Sequence, residues 1–75
     1  MTKETAIDLV LCYEVTKGQS AWEMVQDGYD GDIQAYINDY RGDYIAEETE
    51  TGYIITNTVN GMQYREHNGF ISDVR

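Results

Sequence analysis

The chain has no proline and a single cysteine, Cys12. Without proline nothing breaks a helix outright, so element ends fall to glycines and capping side chains. With one cysteine no intramolecular disulfide can form, and a reduced, cytoplasmic setting is the natural expectation. Long apolar runs are missing: the aliphatic stretch 9–11 has three residues, against the roughly 20 that a membrane-spanning helix needs. The N-terminus lacks a basic stretch followed by an apolar run and a small-residue cleavage site, so no signal peptide is expected. Cations are scarce, five Lys and Arg against 14 Asp and Glu, for a net charge of −9. Such a chain repels anionic lipid and the phosphates of DNA or RNA, which argues against direct binding to either.

What remains is enough for a folded unit. Hydrophobic residues make up 41% of the chain, above the composition of a disordered tail. Seven Tyr, one Trp and one Phe must supply much of the buried area. The 75 residues read as one domain, 1–75, which buries only about 60% of its unfolded surface.

The negative charge is uneven. Glu23, Asp27, Asp30, Asp32, Asp39, Asp43, Glu47, Glu48 and Glu50 share one segment with a single cation, Arg41, for a local net of −8. Like charges held together raise the energy of the compact state. A small fold that tolerates this has reason to gain something from it.

Hydropathy patterning predicts α+β: three N-terminal helices packed on a three- or four-stranded antiparallel meander. Thr2 or Thr5 caps a first helix that runs to about Lys17 and stops at Gly18. Ile7, Val10, Leu11 and Glu14 follow its helical spacing, and its broad apolar face places it deep in the core. Ser20 and Glu23 have the spacing of a capping box. The short helix they open ends at Gly28, with Trp22 and Val25 toward the core. Asp30 caps a third helix, in which Ile33, Tyr36, Ile37 and Tyr40 give the cleanest 3.6-residue period, closed by Gly42. Strands are expected at 43–50, 53–59 and after 61, with turns at 51–52 and at Asn60-Gly61. The latter is read as a two-residue hairpin that pairs Val59 with Met62, Asn57 with Tyr64 and Ile55 with Glu66. A second turn at 67–69 leads to a last strand, 70–74.

No motif for catalysis stands out. His67 is the sole histidine and falls in a turn; Cys12 sits on an apolar helix, where a cysteine usually acts as a small hydrophobe. Asp27, Asp30 and Asp32 beside two glycines resemble a calcium loop, but the residue eleven after Asp27 is Asn38 where a bidentate Glu belongs. No cofactor or metal site is expected. The element order would suit a winged helix-turn-helix, yet a reading helix carrying Asp32, Gln34, Asn38 and Asp39 cannot hold phosphates.

The carboxylates are the stronger candidates. Phosphates recur about every 3.4 Å along each DNA strand. Carboxylates one helical turn apart are separated by about 5–6 Å, and alternate strand residues by about 6.6 Å. Asp39 and Asp43 are expected to begin such a ladder at the end of the third helix, with Glu47, Glu48 and Glu50 extending it and Arg41 holding two acids in register. Tyr36 and Tyr40 read as core. Tyr29, Tyr44 and Tyr53 are undetermined by pattern; an exposed tyrosine among carboxylates can stand in for a base or sugar, and Tyr44 joins the candidate interface.

By charge distribution the chain resembles the DNA-mimic proteins that phages and mobile elements use against host restriction or CRISPR nucleases. The expected function is that of a non-enzymatic inhibitor acting in the host cytoplasm. Its partner would be the basic groove of a nucleic-acid-binding protein or nuclease, met by Asp27, Asp30, Asp32, Asp39, Asp43, Glu47, Glu48, Glu50 and Tyr44. The rival expectation is an ordinary interaction or regulatory module, with a homodimer formed through the free sheet edge.

Overall fold

The computed structural model describes residues 1–74. Three helices precede a four-stranded antiparallel sheet: α1 (Lys3–Lys17), α2 (Gln19–Tyr29), α3 (Ile33–Tyr40), then β1 (Tyr44–Glu48), β2 (Gly52–Asn57), β3 (Gln63–His67) and β4 (Phe70–Asp73). The sheet is an up-and-down meander in the order β1-β2-β3-β4, so β1 and β4 are its edges. This is the α+β arrangement expected, with the sheet at its larger size.

α1 is the central element. The Thr2 hydroxyl accepts from the Thr5 amide at 3.1 Å, which identifies Thr2 as the cap. Ala6, Ile7, Val10, Leu11 and Val15 are buried along one side of the helix. They pack against the inner face of the sheet, where Tyr44, Ala46, Ile55 and Tyr64 complete the core with Val25, Tyr36 and Ile37. α2 and α3 lean on α1, and the molecule is elongated, 38 × 22 × 19 Å.

Several local expectations are corrected. Gly18 ends α1 and at once begins α2, so Ser20 lies inside the helix and makes no cap; Glu23 instead accepts from Gln19 Nε2 at 3.1 Å. α2 continues through Gly28 to Tyr29. Asp30 is its left-handed terminator, at φ +51°, while the Gly31 amide reaches back six residues to Val25 O at 3.0 Å. That six-residue closure satisfies an end carbonyl. The cap of α3 is therefore Asp32, whose carboxylate accepts from the Ala35 amide at 3.2 Å. Trp22 is half exposed rather than core. Gly42 lies in a 3-10 turn, Arg41–Asp43, without positive φ.

The β2–β3 hairpin differs by two residues from the expected register. Ile55 pairs with Tyr64 and Tyr53 with Glu66. The loop has four residues, because Asn57 closes it: its amide donates to Met62 O at 2.9 Å, and its carbonyl accepts from Gly61 N at 2.8 Å. Asn57 and Asn60 side chains accept from the amides of Val59 and Met62. These side-chain turns replace the backbone twist of a two-residue loop. A shift of two leaves every side chain on its expected face. The two-residue turn with positive φ at both positions is instead Asn68-Gly69, at +51° and +84°.

Candidate functional site

Two features stand out, an acidic border and a tyrosine-lined pocket. The eight acidic candidates that make up this border fall into two groups of three with a pair between them along the chain. Asp27, Asp30 and Asp32 surround the α2–α3 turn, and Glu47, Glu48 and Glu50 lie at the end of β1 and in the following turn, all exposed. Asp39, exposed, and Asp43, partly buried, lie between them.

The ladder expected from spacing is interrupted. The change from α-helix to 3-10 turn after Tyr40 separates Asp39 from Asp43 in phase. Glu48 shares the helix-facing side of β1 with Tyr44 and Ala46, and Glu47 projects from the opposite face with Ile45. Asp39 accepts from the Tyr29 hydroxyl at 2.8 Å, and that bond, with some burial, pushes the Tyr29 phenol up to about 12.

Charge compensation is the sharper finding. Among the described residues there are two ion pairs, Lys17–Asp73 and Arg41–Asp8. Arg41 turns to α1 and grips Asp8 through Nε at 2.7 Å and Nη2 at 2.9 Å. It therefore bridges α1 and the 3-10 turn, not two acids of the border. None of the eight carboxylates has a cationic partner among the described residues.

Tyr44 does not join this surface. It is 8% exposed, and its hydroxyl donates to Glu14 Oε1. Its position at the start of β1 points it inward with Ala46, and the pleat leaves it no other side. The same glutamate accepts from the Tyr64 hydroxyl at 2.5 Å and from Asn57 Nδ2 at 3.4 Å, both on Oε2. Glu14 thus joins α1 to β1, β2 and β3. Burial first, then the bond to Glu14, pushes the Tyr44 and Tyr64 phenols well above the ordinary tyrosine range. Tyr36 is raised by burial and by the Glu14 charge. The sequence carried a signal for this cluster, a carboxylate on the apolar stripe with Ile7, Val10 and Leu11, but nothing in it named the three donors.

Glu14 lies in a pocket of about 450 Å³ between the C-terminal half of α1, the α2–α3 pair and the β2–β3 loop. Tyr36, Tyr40, Tyr44 and Tyr64 line it, with Met24 and Met62. Lys17 also lines it, paired to Asp73 and lying over the Tyr13 and Tyr64 rings at 5.3 and 5.8 Å from their centres. A second hollow containing Glu23 and Asp27 shares Ser20, Met24 and Tyr40 with the first.

His67 is exposed on the outer sheet face, and Cys12 is partly buried with its thiol raised by burial and by Asp8. Among the described residues no three His, Cys, Asp or Glu side chains come together as a metal site, and no helix is long and apolar enough to cross a membrane. The chain matches no protein-family model, no curated protein and no solved structure.

Proposed function

We propose that this chain is a small non-enzymatic inhibitor of the anti-restriction or anti-CRISPR kind, which occupies the basic groove of a nucleic-acid-handling protein in place of phosphates. One observation carries the reading: no acid of the border has a cationic partner among the described residues, and the one cation in their segment, Arg41, pairs with Asp8. The border belongs to a molecule 38 Å long, the length of roughly eleven phosphates on one strand. Uncompensated carboxylates on a narrow body give a field that a Lys/Arg-lined groove attracts from a distance. Asp27, Glu48 and Glu50 serve best as test positions, since their side chains make no hydrogen bond among the described residues and reversal leaves the fold intact.

The test immobilises the chain and applies host lysate at low salt, then elutes with duplex DNA. The expected captures are nucleic-acid-handling proteins that DNA or salt displaces, and that Asp27→Lys/Glu48→Lys/Glu50→Lys no longer retains. Captures indifferent to DNA and to the triple reversal overturn the reading.

The edges and outer face of the sheet favour a second reading, an interaction or regulatory module that self-associates. Ile45 and Phe70 are 55% and 78% exposed on that face, and β1 and β4 have free edges. Sedimentation that gives a dimer stable in high salt, and lost with Ile45→Asp, would favour it.

A further inference from the structure

We propose that the tyrosine-lined pocket is a receptor for an arginine side chain of the basic partner; the identity of the partner rests on the inhibitor reading above, the chemistry of the pocket does not. A cation is favoured over aromatic faces, where the ring quadrupole attracts it and its desolvation is incomplete. Tyr36, Tyr40, Tyr44 and Tyr64 line one hollow, and Tyr40 is the most exposed of the four. Glu14, in the same lining, supplies a carboxylate. Three donors already use most of its acceptor capacity, out of about four lone-pair sites. It therefore attracts a cation through its field more than through new hydrogen bonds. That suits guanidinium, which is weakly hydrated, planar and able to stack on aromatic rings, better than a compact ammonium. Asp43 lines the same hollow and brings a second carboxylate residue to it. The volume of about 450 Å³ lies at the small end of ligand sites.

Among the described residues Lys17 is the one cation in the lining, and its pairing with Asp73 limits its opposition. The neighbouring hollow with Glu23 and Asp27 continues the acidic path along α2, so backbone flanking the bound arginine would pass over carboxylates.

The test needs no partner. The isotope-labelled intact chain is titrated with N-acetyl-arginine amide and, as an uncharged match in shape, N-acetyl-citrulline amide, and amide shifts are followed by NMR. The arginine compound is expected to move resonances of Ala21, Met24, Tyr40 and Met62 and to bind at least about tenfold more tightly than citrulline, the step that one good cation–aromatic contact supplies. Asp43→Asn should weaken the arginine response several-fold. Lys17→Met should strengthen it, because the opposing charge is gone. Equal responses to the two compounds, or shifts confined to the exposed acids of the border, overturn the proposal. So does a free amine such as agmatine binding more than about tenfold tighter than the capped arginine, since the site would then serve a small metabolite. The inhibitor reading stands or falls on DNA-displaceable capture, so either result can fail alone.

Discussion

A carboxylate on the core side of a helix survives only where donors answer it. Glu14 is answered by two phenols and an amide from three different strands, so its replacement is felt across the sheet. Glu14→Gln preserves volume but turns one acceptor into a donor facing a buried hydroxyl. It should cost about 2 kcal/mol of stability in urea denaturation. The same cluster sets an alkaline limit. Tyr44 and Tyr64 hold their protons above the unfolded value of 10.0. Below about pH 10 both states are protonated and the contribution is whole. Above it the unfolded chain releases protons that the folded chain keeps, and stability falls by about 1.4 kcal/mol per pH unit for each tyrosine, until the folded values are reached. Urea midpoints should therefore agree at about pH 8 and 9 and drop at about pH 11; an unchanged midpoint at the higher pH would contradict the buried network. Gly52 is a second sharp position. A Cβ there would lie 2.0 Å from Glu66 O and 2.7 Å from its Oε1, so Gly52→Ala should cost about 3 kcal/mol. Gly28, inside α2 with open space around it, should behave oppositely, with Gly28→Ala stabilising by up to about 1 kcal/mol.

Among the elements, the α2–α3 connection shows how one residue type takes unlike duties. Asp32 caps a helix and Asp30 ends one in the left-handed region. Asp32→Ala should cost about 1 kcal/mol. Asp30→Gly should be neutral or stabilising, since glycine takes positive φ without a Cβ penalty. Thermal unfolding of the two variants separates the roles, and a loss at Asp30 with none at Asp32 would reverse the assignment. The sequence shows an aspartate before a periodic run but not which of two it is, because Asp30 and Asp32 both precede Ile33 and both suit a cap. The helical periods themselves were legible: Ile33, Tyr36, Ile37 and Tyr40 line one side, and α1 ends where Gly18 stands. The hairpin register was not, since Asn60-Gly61 signals a tight turn that the Asn57 backbone and side chain override by closing a longer loop. Tyr44 followed the same logic. Its facing is set by pleat parity with Ala46, which only the start of β1 determines. The border acids were legible as residues, and the break between Asp39 and Asp43 depended on where α3 yields to the 3-10 turn.

For the whole molecule, charge should oppose stability and support binding at once. Of the 14 carboxylates, Asp8 and Asp73 are the two in ion pairs among the described residues. The side chains in those pairs are 28–43% exposed, and such pairs contribute about 1 kcal/mol or less. Repulsion along the border acts over a Debye length of about 30 Å at 0.01 M salt and about 10 Å at 0.1 M. Added salt should then stabilise the fold, where a protein held by ion pairs would weaken. A gain of about 1 kcal/mol corresponds to a rise in Tm of roughly 4–8 °C for a domain of this size, readable by calorimetry in dilute buffer against about 0.1 M sodium chloride. Reversing Glu48 and Glu50 to Lys should produce a similar rise without salt, because the segment's net charge falls from −8 to −4, and should reduce the salt response. On the proposed reading it should also abolish retention of any partner that DNA displaces. Greater stability together with lost binding is the trade expected of a surface whose strain serves recognition. If the double reversal leaves Tm and its salt dependence unchanged, the border acids are too widely spaced to act on one another, and a groove spaced for phosphates would have no reason to prefer them.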